Sequence, residues 1–431
     1  MEQDHSKNSE RRDSTSLDLM RQIALAGNCS NPIRITGESV NLATGEVSPS
    51  RLTIACKDRR ALLCPACSYL YQADAWILVS AGMIGGKGVP ASVADHPRVF
   101  VTVTAPSFGL VHRRTASGRC HTFSSEPCPH GRSLICRSSH ELGSSVLGAP
   151  LCELCFDYRG AVLWNAQCSK LWHRTVQELR RQVAHEHSRA RRTTPEATIS
   201  FLKVAEFQKR GLVHFHAVLR ADGSGDEYSP PPAWLSTAVL TQAISRVILH
   251  VSSIGADGEE LRWGRQFDVT SLTDHDVKHS SISSYVAKYA VGSTDDSLGM
   301  ARRFTSRRSI TDTPLHPHRR AMALTAWDLS FEPGLSHLRL DSHAHTLGFT
   351  GQIITKSRHY STRFADLRAT RASFMKRHNT EDPVADTYQY DGRGYDDPRC
   401  AEAAEMFHQT MVQLRRERKQ RQLDEQKAVS L

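Results

Sequence analysis

The chain has 431 residues, enough for two or three domains with sizeable cores. Lysine and arginine number 55 against 45 aspartates and glutamates, and this net charge of +10 suggests a polyanionic partner without establishing one. No stretch approaches the roughly 20 consecutive apolar residues that span a bilayer, and the polar N-terminus lacks a secretory signal, so we expect a cytoplasmic protein with no membrane partner. There, the 11 cysteines are expected to bind metal rather than form disulfides.

The first cysteines predict a structural zinc site in an N-terminal segment, 28–95, which follows a disordered tail and short helix at 1–27. Cys64-Pro-Ala-Cys67 places two thiolates on one edge of a tetrahedron. Cys29 and Cys56 are the candidates for the other two ligands. Free buried cysteines are the alternative, although four within forty residues favour zinc.

A second domain is predicted over 96–295, with an inserted Cys/His-rich segment at about 112–160. The insertion has little apolar periodicity and cannot build its own core, so we expect zinc to staple it. One or two structural zinc ions are expected in all. The candidate ligands in the insertion are Cys120, His121, Cys128, His130, Cys136, His140, Cys152 and Cys155.

Two histidines lie on one face of a predicted strand. In Val213-His214-Phe215-His216 the imidazoles alternate with apolar residues, so they point the same way, about 7 Å apart at the Cα level. If a three-residue loop at 209–211 closes a hairpin, Glu206 faces His214. Two imidazoles and a carboxylate form an open-sided site suited to Mg²⁺ or Mn²⁺. A one-residue change in register would turn Glu206 away, and a buried strand with hydrogen-bonded histidines is the alternative.

A predicted helix over 274–290 presents two tyrosines together. Tyr285 and Tyr289 are four residues apart, which makes them neighbours on one helical face, with Cβ atoms roughly 6 Å apart. Lys288 lies beside them. Packing is the alternative interpretation, and a functional one requires a partner site such as the histidine strand.

Residues 296–378 are predicted to be a C-terminal DNA-binding region, and the arginine-rich part, 293–320, is interpreted as a linker or a DNA-contacting loop. The run 351–363 mixes basic, aromatic and hydroxyl side chains, a composition typical of nucleic-acid contacts. Residues 379–431 are expected to be a linker (379–399) and a charged helix. The predicted DNA contacts are Lys356, Arg358, Tyr360 and Arg363.

The order of elements predicts an α+β fold. We expect a central antiparallel sheet with packed helices, zinc-stapled N-terminal and inserted segments, and a helical C-terminal region.

The motifs resemble those of the His-hydrophobe-His endonuclease superfamily, and more closely those of the actinobacterial replication initiators of plasmids and integrative elements. The match spans about residues 28–375 and is specific as a conjunction, although each motif alone is weak. The motifs that carry it are Glu206-x-Gln208-x-Arg210-Gly211-x-x-His214-Phe215-His216, Tyr285-x-x-Lys288-Tyr289, Gly88-Val-Pro90, His96-Pro-Arg-Val99, Thr104-Ala-Pro-Ser107, Asp157-Tyr158 and Lys356-Ser-Arg358 with Tyr360-Ser361.

The resemblance implies that 96–295 is a nuclease domain with a five-stranded, ferredoxin-like sheet, and that a tyrosine nicks one DNA strand. His214 and His216 match metal ligands, and Glu206 stands where a third ligand is frequent. Tyr285 and Tyr289 match the paired nucleophiles of the two-tyrosine class. Position 292 is a glycine where related enzymes often have a lysine, so either that lysine is dispensable or the lysine between the tyrosines serves alone.

We therefore predict a rolling-circle replication initiator, a site-specific single-strand nickase and strand transferase that uses catalytic Mg²⁺ or Mn²⁺. Its expected partner is origin DNA, single-stranded or extruded, and a host helicase and polymerase are further candidates. The alternatives are a related transposase or mobilisation relaxase, or a non-catalytic zinc-ribbon DNA-binding regulator. Against a transposase, the sequence contains no helicase-type phosphate loop.

Overall fold

The computed structural model describes residues 20–115, 119–121, 124, 128–185, 196–272, 278–291, 302–376 and 384–429. These residues form two compact units. One consists of the described parts of 1–74 and 365–431, and the other of the described parts of 75–364. Helices and strands are mixed in the chain, which confirms the α+β class. No helix in the described ranges is long and apolar enough to cross a membrane.

The described chain mixes runs of strands with single helices and runs of helices. The strands are β1 (Ile33–Asn41), β2 (Val47–Ile54), β3 (Arg98–Val103), β4 (Arg119–His121), β5 (Cys136–Ser139), β6 (Ala197–Phe207), β7 (Val213–Gly223), β8 (Ser252–Ile254), β9 (Glu260–Arg262), β10 (Phe267–Ser271), β11 (Ile354–Lys356) and β12 (Val384–Arg393). The helices are α1 (Pro65–Ile84), α2 (Tyr158–His185), α3 (Thr237–His250), α4 (Lys278–Val291), α5 (Arg307–Asp312), α6 (Pro317–Leu329), α7 (Phe364–Lys376) and α8 (Pro398–Val429).

The 75–364 unit is built on a five-stranded sheet with the order β10-β3-β7-β6-β11. Every pair of neighbours in it is antiparallel, as the sequence predicts for the central sheet. The long hairpin β6–β7 provides two of the three inner strands. Strand β3 pairs with β7 on the other side and places Thr102 opposite His216.

One face of the central sheet lines the hydrophobic core of this unit. Alternation along β7 turns Phe215, Ala217 and Leu219 inward, and all three are fully buried. They meet helix α2, where Trp172 packs edge-on against Phe215. Burial of each large apolar side chain stabilises the fold by about 1.5–3 kcal/mol, so the core face determines which residues β7 presents on the opposite face.

The polar segment 293–320, interpreted from sequence as a linker or loop, contains two helix starts within its described part. Ser306 begins α5 with a capping box that it forms with Ser309. Pro317 stands in the first turn of α6, where a missing N–H costs no hydrogen bond. Ile310 is buried, which anchors the short helix α5 to the core. Residues 292–301 lie outside the described ranges.

The other unit contains a three-stranded sheet with the order β12-β1-β2. The sequence did not reveal this sheet, and residues 379–399 were expected to be a linker, whereas β12 lies within them and pairs antiparallel with β1. Gly37 approaches the backbone of Thr387 so closely that a Cβ atom would overlap its carbonyl oxygen. Helix α8 confirms the predicted helical C-terminus, and its Cys400 and Ala404 are buried with Ile23.

Candidate active site

The β6–β7 hairpin brings Glu206, His214 and His216 together. Glu206 is paired with His214 and Val204 with His216, which is the register that a loop at 209–211 predicts. The Oε2 atom of Glu206 lies 2.7 Å from Nε2 of His214 and 2.8 Å from Nε2 of His216. The two imidazole rings are 4.5 Å apart between centroids. The three side chains therefore converge on one point of the sheet face.

The environment of this group favours the protonation states that bind a metal ion. Burial lowers the pKa of His216 and so favours its neutral form, although the hydrogen bond with Glu206 opposes this effect. Burial alone would raise the pKa of Glu206, but hydrogen bonds from the two imidazoles lower it. The lowered pKa values favour an ionised Glu206 carboxylate and a neutral His216 imidazole.

A hydroxyl group holds the orientation of one imidazole. Thr102 Oγ1 on β3 lies 3.0 Å from Nδ1 of His216. With a cation bound in place of the hydrogen bond between Nε2 and Glu206, Nδ1–H would donate to this hydroxyl and the lone pair of Nε2 would face the cation. The ligand atoms of Glu206, His214 and His216 all lie within 4.8 Å of one another. This nitrogen and oxygen donor set fits one divalent cation with open coordination positions.

Both predicted tyrosines lie against this group. In α4 the residues Val286, Ala287 and Ala290 are buried, which turns Tyr285 and Tyr289 to the histidine side. Each tyrosine ring has its centroid 5.1 Å from that of His216. The two rings are 4.6 Å apart. Residues 274–277, predicted to begin this helix, lie outside the described ranges.

The tyrosines differ in their surroundings. Tyr285 is 41% exposed, yet partial burial raises its pKa above the ordinary phenol value, and a hydrogen bond with Tyr289 adds to this shift. Lys288 is exposed and its Nζ lies 5.6 Å from the centre of the Tyr289 ring. Phe100 of β3 stacks on His216 at 5.9 Å and closes one side of the group. The lysine therefore accompanies the phenols on the accessible side.

Nine of the eleven cysteines gather with three histidines into three sets of metal-ligand type, against the one or two zinc ions expected. The N-terminal set consists of the four predicted cysteines. The other two sets lie in the insertion, and each holds four ligands, as structural zinc requires. The three sets are Cys29, Cys56, Cys64 and Cys67; His112, Cys120, Cys136 and His140; and Cys128, His130, Cys152 and Cys155.

Two histidines of the insertion differ from the expectation. His121 does not enter either set, because its Nε2 lies at hydrogen-bonding distance, 2.9 Å, from the carbonyl oxygen of Val111. His112 does enter one and was missed. It has no Cys-x-x-Cys spacing around it, and only its hydrophobic neighbours Leu110 and Val111 mark the segment.

The predicted DNA contacts have different surroundings. Tyr360 is fully buried and its hydroxyl donates to the carbonyl of Val79, so this ring supports the core and is not available to stack on a base. Lys356 Nζ donates to the carbonyl of Ser361 at 2.6 Å. Arg358 and Arg363 are exposed. Arg358 lines a cleft of about 840 Å³ at the opposite end of the β6–β7 hairpin from Glu206.

Comparison with known proteins identifies the family of the chain. A family model described as RepSA, the replication initiator protein of pSAM2, matches residues 17–409. A replication initiator protein of Streptomyces ambofaciens is 37% identical over 380 residues, which cover 82% of this chain and 79% of that relative. No solved structure matches the chain significantly. The chain therefore belongs to the RepSA family of replication initiator proteins.

Proposed function

We propose that this replication initiator nicks and rejoins one strand of origin DNA through a tyrosine, in the rolling-circle mode. The observation that carries the proposal is the position of Tyr285 and Tyr289, whose rings each lie 5.1 Å from the ring of His216. Paired nucleophiles beside a three-ligand, open-sided metal-binding group support phosphoryl transfer. The proposed activity is that of a site-specific single-strand endonuclease and strand transferase.

The proposed reaction is a transesterification. The phenol oxygen of one tyrosine attacks the scissile phosphorus and gives up its proton, and the bond from phosphorus to the 3′ oxygen breaks. The products are a 5′-phosphotyrosine and a free 3′-hydroxyl, whose oxygen takes up a proton. Because a phosphodiester-level bond is kept, the reverse attack rejoins the strand without another energy source.

The side chains of the site suit this chemistry. Mg²⁺ or Mn²⁺ held by Glu206, His214 and His216 would polarise a phosphate oxygen and stabilise the charge of the transition state. The raised pKa of Tyr285 keeps its phenol protonated at neutral pH, so the phenol needs a positive charge close to it when it attacks. We assign this role to Lys288, which lies beside the rings.

The two tyrosines would divide the work of a replication cycle. One would hold the 5′ end while its neighbour attacks the regenerated junction. The free 3′-hydroxyl would serve a host polymerase, with a host helicase opening the duplex. The exposed Arg358 and Arg363 are proposed to contact the DNA backbone, because a guanidinium group suits phosphate.

A covalent-adduct assay tests the proposal. Purified full-length chain is incubated with Mn²⁺ or Mg²⁺ and single-stranded oligonucleotides that tile the replicon carrying its gene. A 3′-labelled strand should become attached to the protein and survive denaturant, whereas a 5′-labelled strand should appear only as a shortened free product. The variant with Tyr285→Phe and Tyr289→Phe should form no adduct, and Tyr390→Phe, which alters an exposed tyrosine of the other unit, should form it normally.

The single variants test the two-tyrosine scheme. Tyr285→Phe and Tyr289→Phe alone should each still form an adduct through the remaining tyrosine, identified by peptide mapping, but should lose the second strand transfer. The variant with His214→Ala and His216→Ala should lose cleavage and keep DNA binding. A wild type that binds origin DNA without any adduct would identify a non-catalytic regulator. Adducts at transfer sites instead of the origin would identify a relaxase or transposase.

A further inference from the structure

We propose that the inserted segment is a two-zinc clamp that holds the turn of the β6–β7 hairpin and thereby sets the affinity of Glu206, His214 and His216 for their divalent cation. The zinc clamp is defined here as residues 108–155. None of its zinc ligands belongs to the separate group of Glu206, His214 and His216. The inference rests on the proposed metal site at that group.

The zinc clamp contains a two-stranded ladder tied down by both of its ligand sets. The N–H of Leu151 donates to Leu110 at 2.9 Å, the N–H of His112 to Ala149 at 2.8 Å, and the N–H of Gly148 back to His112 at 2.8 Å. His112 is itself a ligand of one set, and Cys152, which follows the ladder directly, is a ligand of the other. Zinc in the two sets would therefore hold the ladder from both sides.

The ladder packs directly on residues 209–211, the turn of the β6–β7 hairpin. Gly148 has a φ of +84°, and a Cβ atom there would overlap the carbonyl group of Lys209 and the nitrogen of Arg210. The guanidinium group of Arg210 in turn donates to the carbonyls of Ala105 and Pro106, at 2.9 and 2.8 Å. The turn is thus enclosed between the ladder and residues 105–106, which precede the ladder in the chain.

The position of this turn decides the geometry of the metal site. Glu206 lies three residues before Lys209, and His214 lies three residues after Gly211. A one-residue slip at the turn would move Glu206 to the other face of the sheet, and a smaller displacement would change its distance from the imidazoles. Supports that touch ligands only indirectly commonly alter metal affinity by roughly 10–100-fold.

The ligands of the zinc clamp have the composition of structural zinc sites, and the segment buries too little apolar surface to be stable without metal. One set is His₂Cys₂ and the other is Cys₃His, both of which are structural zinc compositions. Between 112 and 150 most of the described side chains are exposed or half-buried, so apolar burial supplies little stability there. Metal coordination is what remains to keep the ladder in place.

A pair of glycine variants separates clamping from zinc binding. We expect Gly148→Ala to keep the zinc content of the wild type, measured by elemental analysis, while its affinity for Mn²⁺ falls by roughly tenfold or more. The matched control is Gly258→Ala outside the zinc clamp, where φ is +85° and no atom lies within 4 Å of the added Cβ, and this variant should bind Mn²⁺ as the wild type does. Mn²⁺ is titrated by electron paramagnetic resonance, and residual binding to the variant with His214→Ala and His216→Ala is subtracted.

Ligand variants test the same link through zinc. His140→Ala should lose zinc from its set and weaken Mn²⁺ binding, and His140→Cys, which restores four ligands, should recover both. Cys56→Ser should lose zinc from the N-terminal set without changing the Mn²⁺ affinity, because that set lies in the other unit. If His140→Ala fails to fold, as judged by circular dichroism, Gly148→Ala decides the question.

Two results would overturn the inference: wild-type Mn²⁺ affinity in Gly148→Ala, or intact Mn²⁺ binding in a folded His140→Ala that has lost zinc. Nicking is not needed for these measurements. A wild type that binds Mn²⁺ through His214 and His216 but forms no DNA adduct contradicts the proposed function and leaves the zinc-clamp test valid. A wild type without such Mn²⁺ binding contradicts both.

Discussion

Glu206 and His214 are directly opposed residues of the β6–β7 hairpin, and Oε2 of the glutamate lies 2.7 Å from Nε2 of the histidine. The same oxygen lies 2.8 Å from Nε2 of His216, so one carboxylate oxygen is shared by two imidazoles. Two neighbouring strands thus present three metal-ligand atoms without any long-range contact. What orients these atoms, and what faces them, comes from β3, α4 and the inserted segment.

We expect the hydroxyl of Thr102 to be needed for metal affinity. Because this hydroxyl lies 3.0 Å from Nδ1 of His216, Thr102→Val removes the partner that keeps Nε2 available and should weaken Mn²⁺ binding by roughly 10–100-fold. Isothermal titration with Mn²⁺ measures the change. Thr102→Ser keeps a hydroxyl and should restore most of the affinity.

Thr104→Val is the matched control for this prediction. The Thr104 hydroxyl donates to the carbonyl of Gln266 and contacts neither histidine in the observed hydrogen bonding. Thr104→Val should therefore leave the Mn²⁺ affinity unchanged. Wild-type affinity in Thr102→Val would show that the imidazole of His216 is oriented without the hydroxyl.

Tyr360 and Arg358, both predicted from sequence to contact DNA, should respond differently to replacement. Tyr360→Ala removes a fully buried ring that rests against Gly82 and should lower the free energy of unfolding by about 3–5 kcal/mol. Tyr360→Phe loses only the hydrogen bond to Val79 and should cost about 1 kcal/mol. Urea denaturation measures both changes.

Arg358→Ala should leave stability within about 0.5 kcal/mol of the wild type, because the side chain is exposed. Its effect should appear in DNA affinity, with a dependence on salt reduced by about one counterion. Fluorescence anisotropy across a salt series provides this measurement. Equal DNA affinity and equal salt dependence in Arg358→Ala and the wild type would remove Arg358 from the interface.

The buried Lys203 should destabilise the unit less as the pH rises from neutral into mild alkali. Its side chain lies on the core face of β6, with Nζ 3.8 Å from the centre of the Phe215 ring, and burial lowers its pKa from 10.5 to about 8. Between these two pKa values the unfolded chain binds more protons at this residue than the folded chain does. The contribution of Lys203 to the free energy of unfolding therefore rises with pH from about 8 to about 10.5.

Lys203→Met isolates this contribution because it keeps an unbranched side chain without the charge. The variant should be more stable than the wild type at pH 7, by at most about 3 kcal/mol, and the difference should shrink as the pH rises. Urea denaturation of both proteins from pH 7 to about 10, at constant zinc, tests this. A difference that does not change with pH would mean that Lys203 keeps its ordinary pKa in the folded protein.

Short-range patterns predicted the parts of the site that depend on neighbouring residues. Alternation along β7 and a three-residue loop suffice to pair Glu206 with His214, and a four-residue helical step suffices to pair Tyr285 with Tyr289. Cys64-Pro-Ala-Cys67 likewise predicted its own zinc-type set. The strand pair, the tyrosine pair and the two cysteines of this motif are each set by backbone geometry over fewer than about ten residues, whereas Cys29 and Cys56 join the set from farther along the chain.

Features formed by segments that are distant in the chain were not predicted from the sequence. Strand β12 pairs with β1 across more than 300 residues, and a segment of polar and aromatic residues gave no local sign of it. Tyr360 sits in a run of basic and hydroxyl residues typical of a surface, yet it is buried against Gly82. Local composition describes what a segment contains, whereas burial depends on what the remaining chain places over it.

The sequence by itself determined the grouping of Glu206, His214 and His216, the tyrosine pair and the antiparallel character of the sheet, because helical and strand periods act over a few residues. Only the tertiary structure decided that the tyrosines lie against His216, that His112 joins a zinc-type set, and that Gly148 supports the hairpin turn. Those relationships join segments that are tens of residues apart, and packing of the whole unit brings them together.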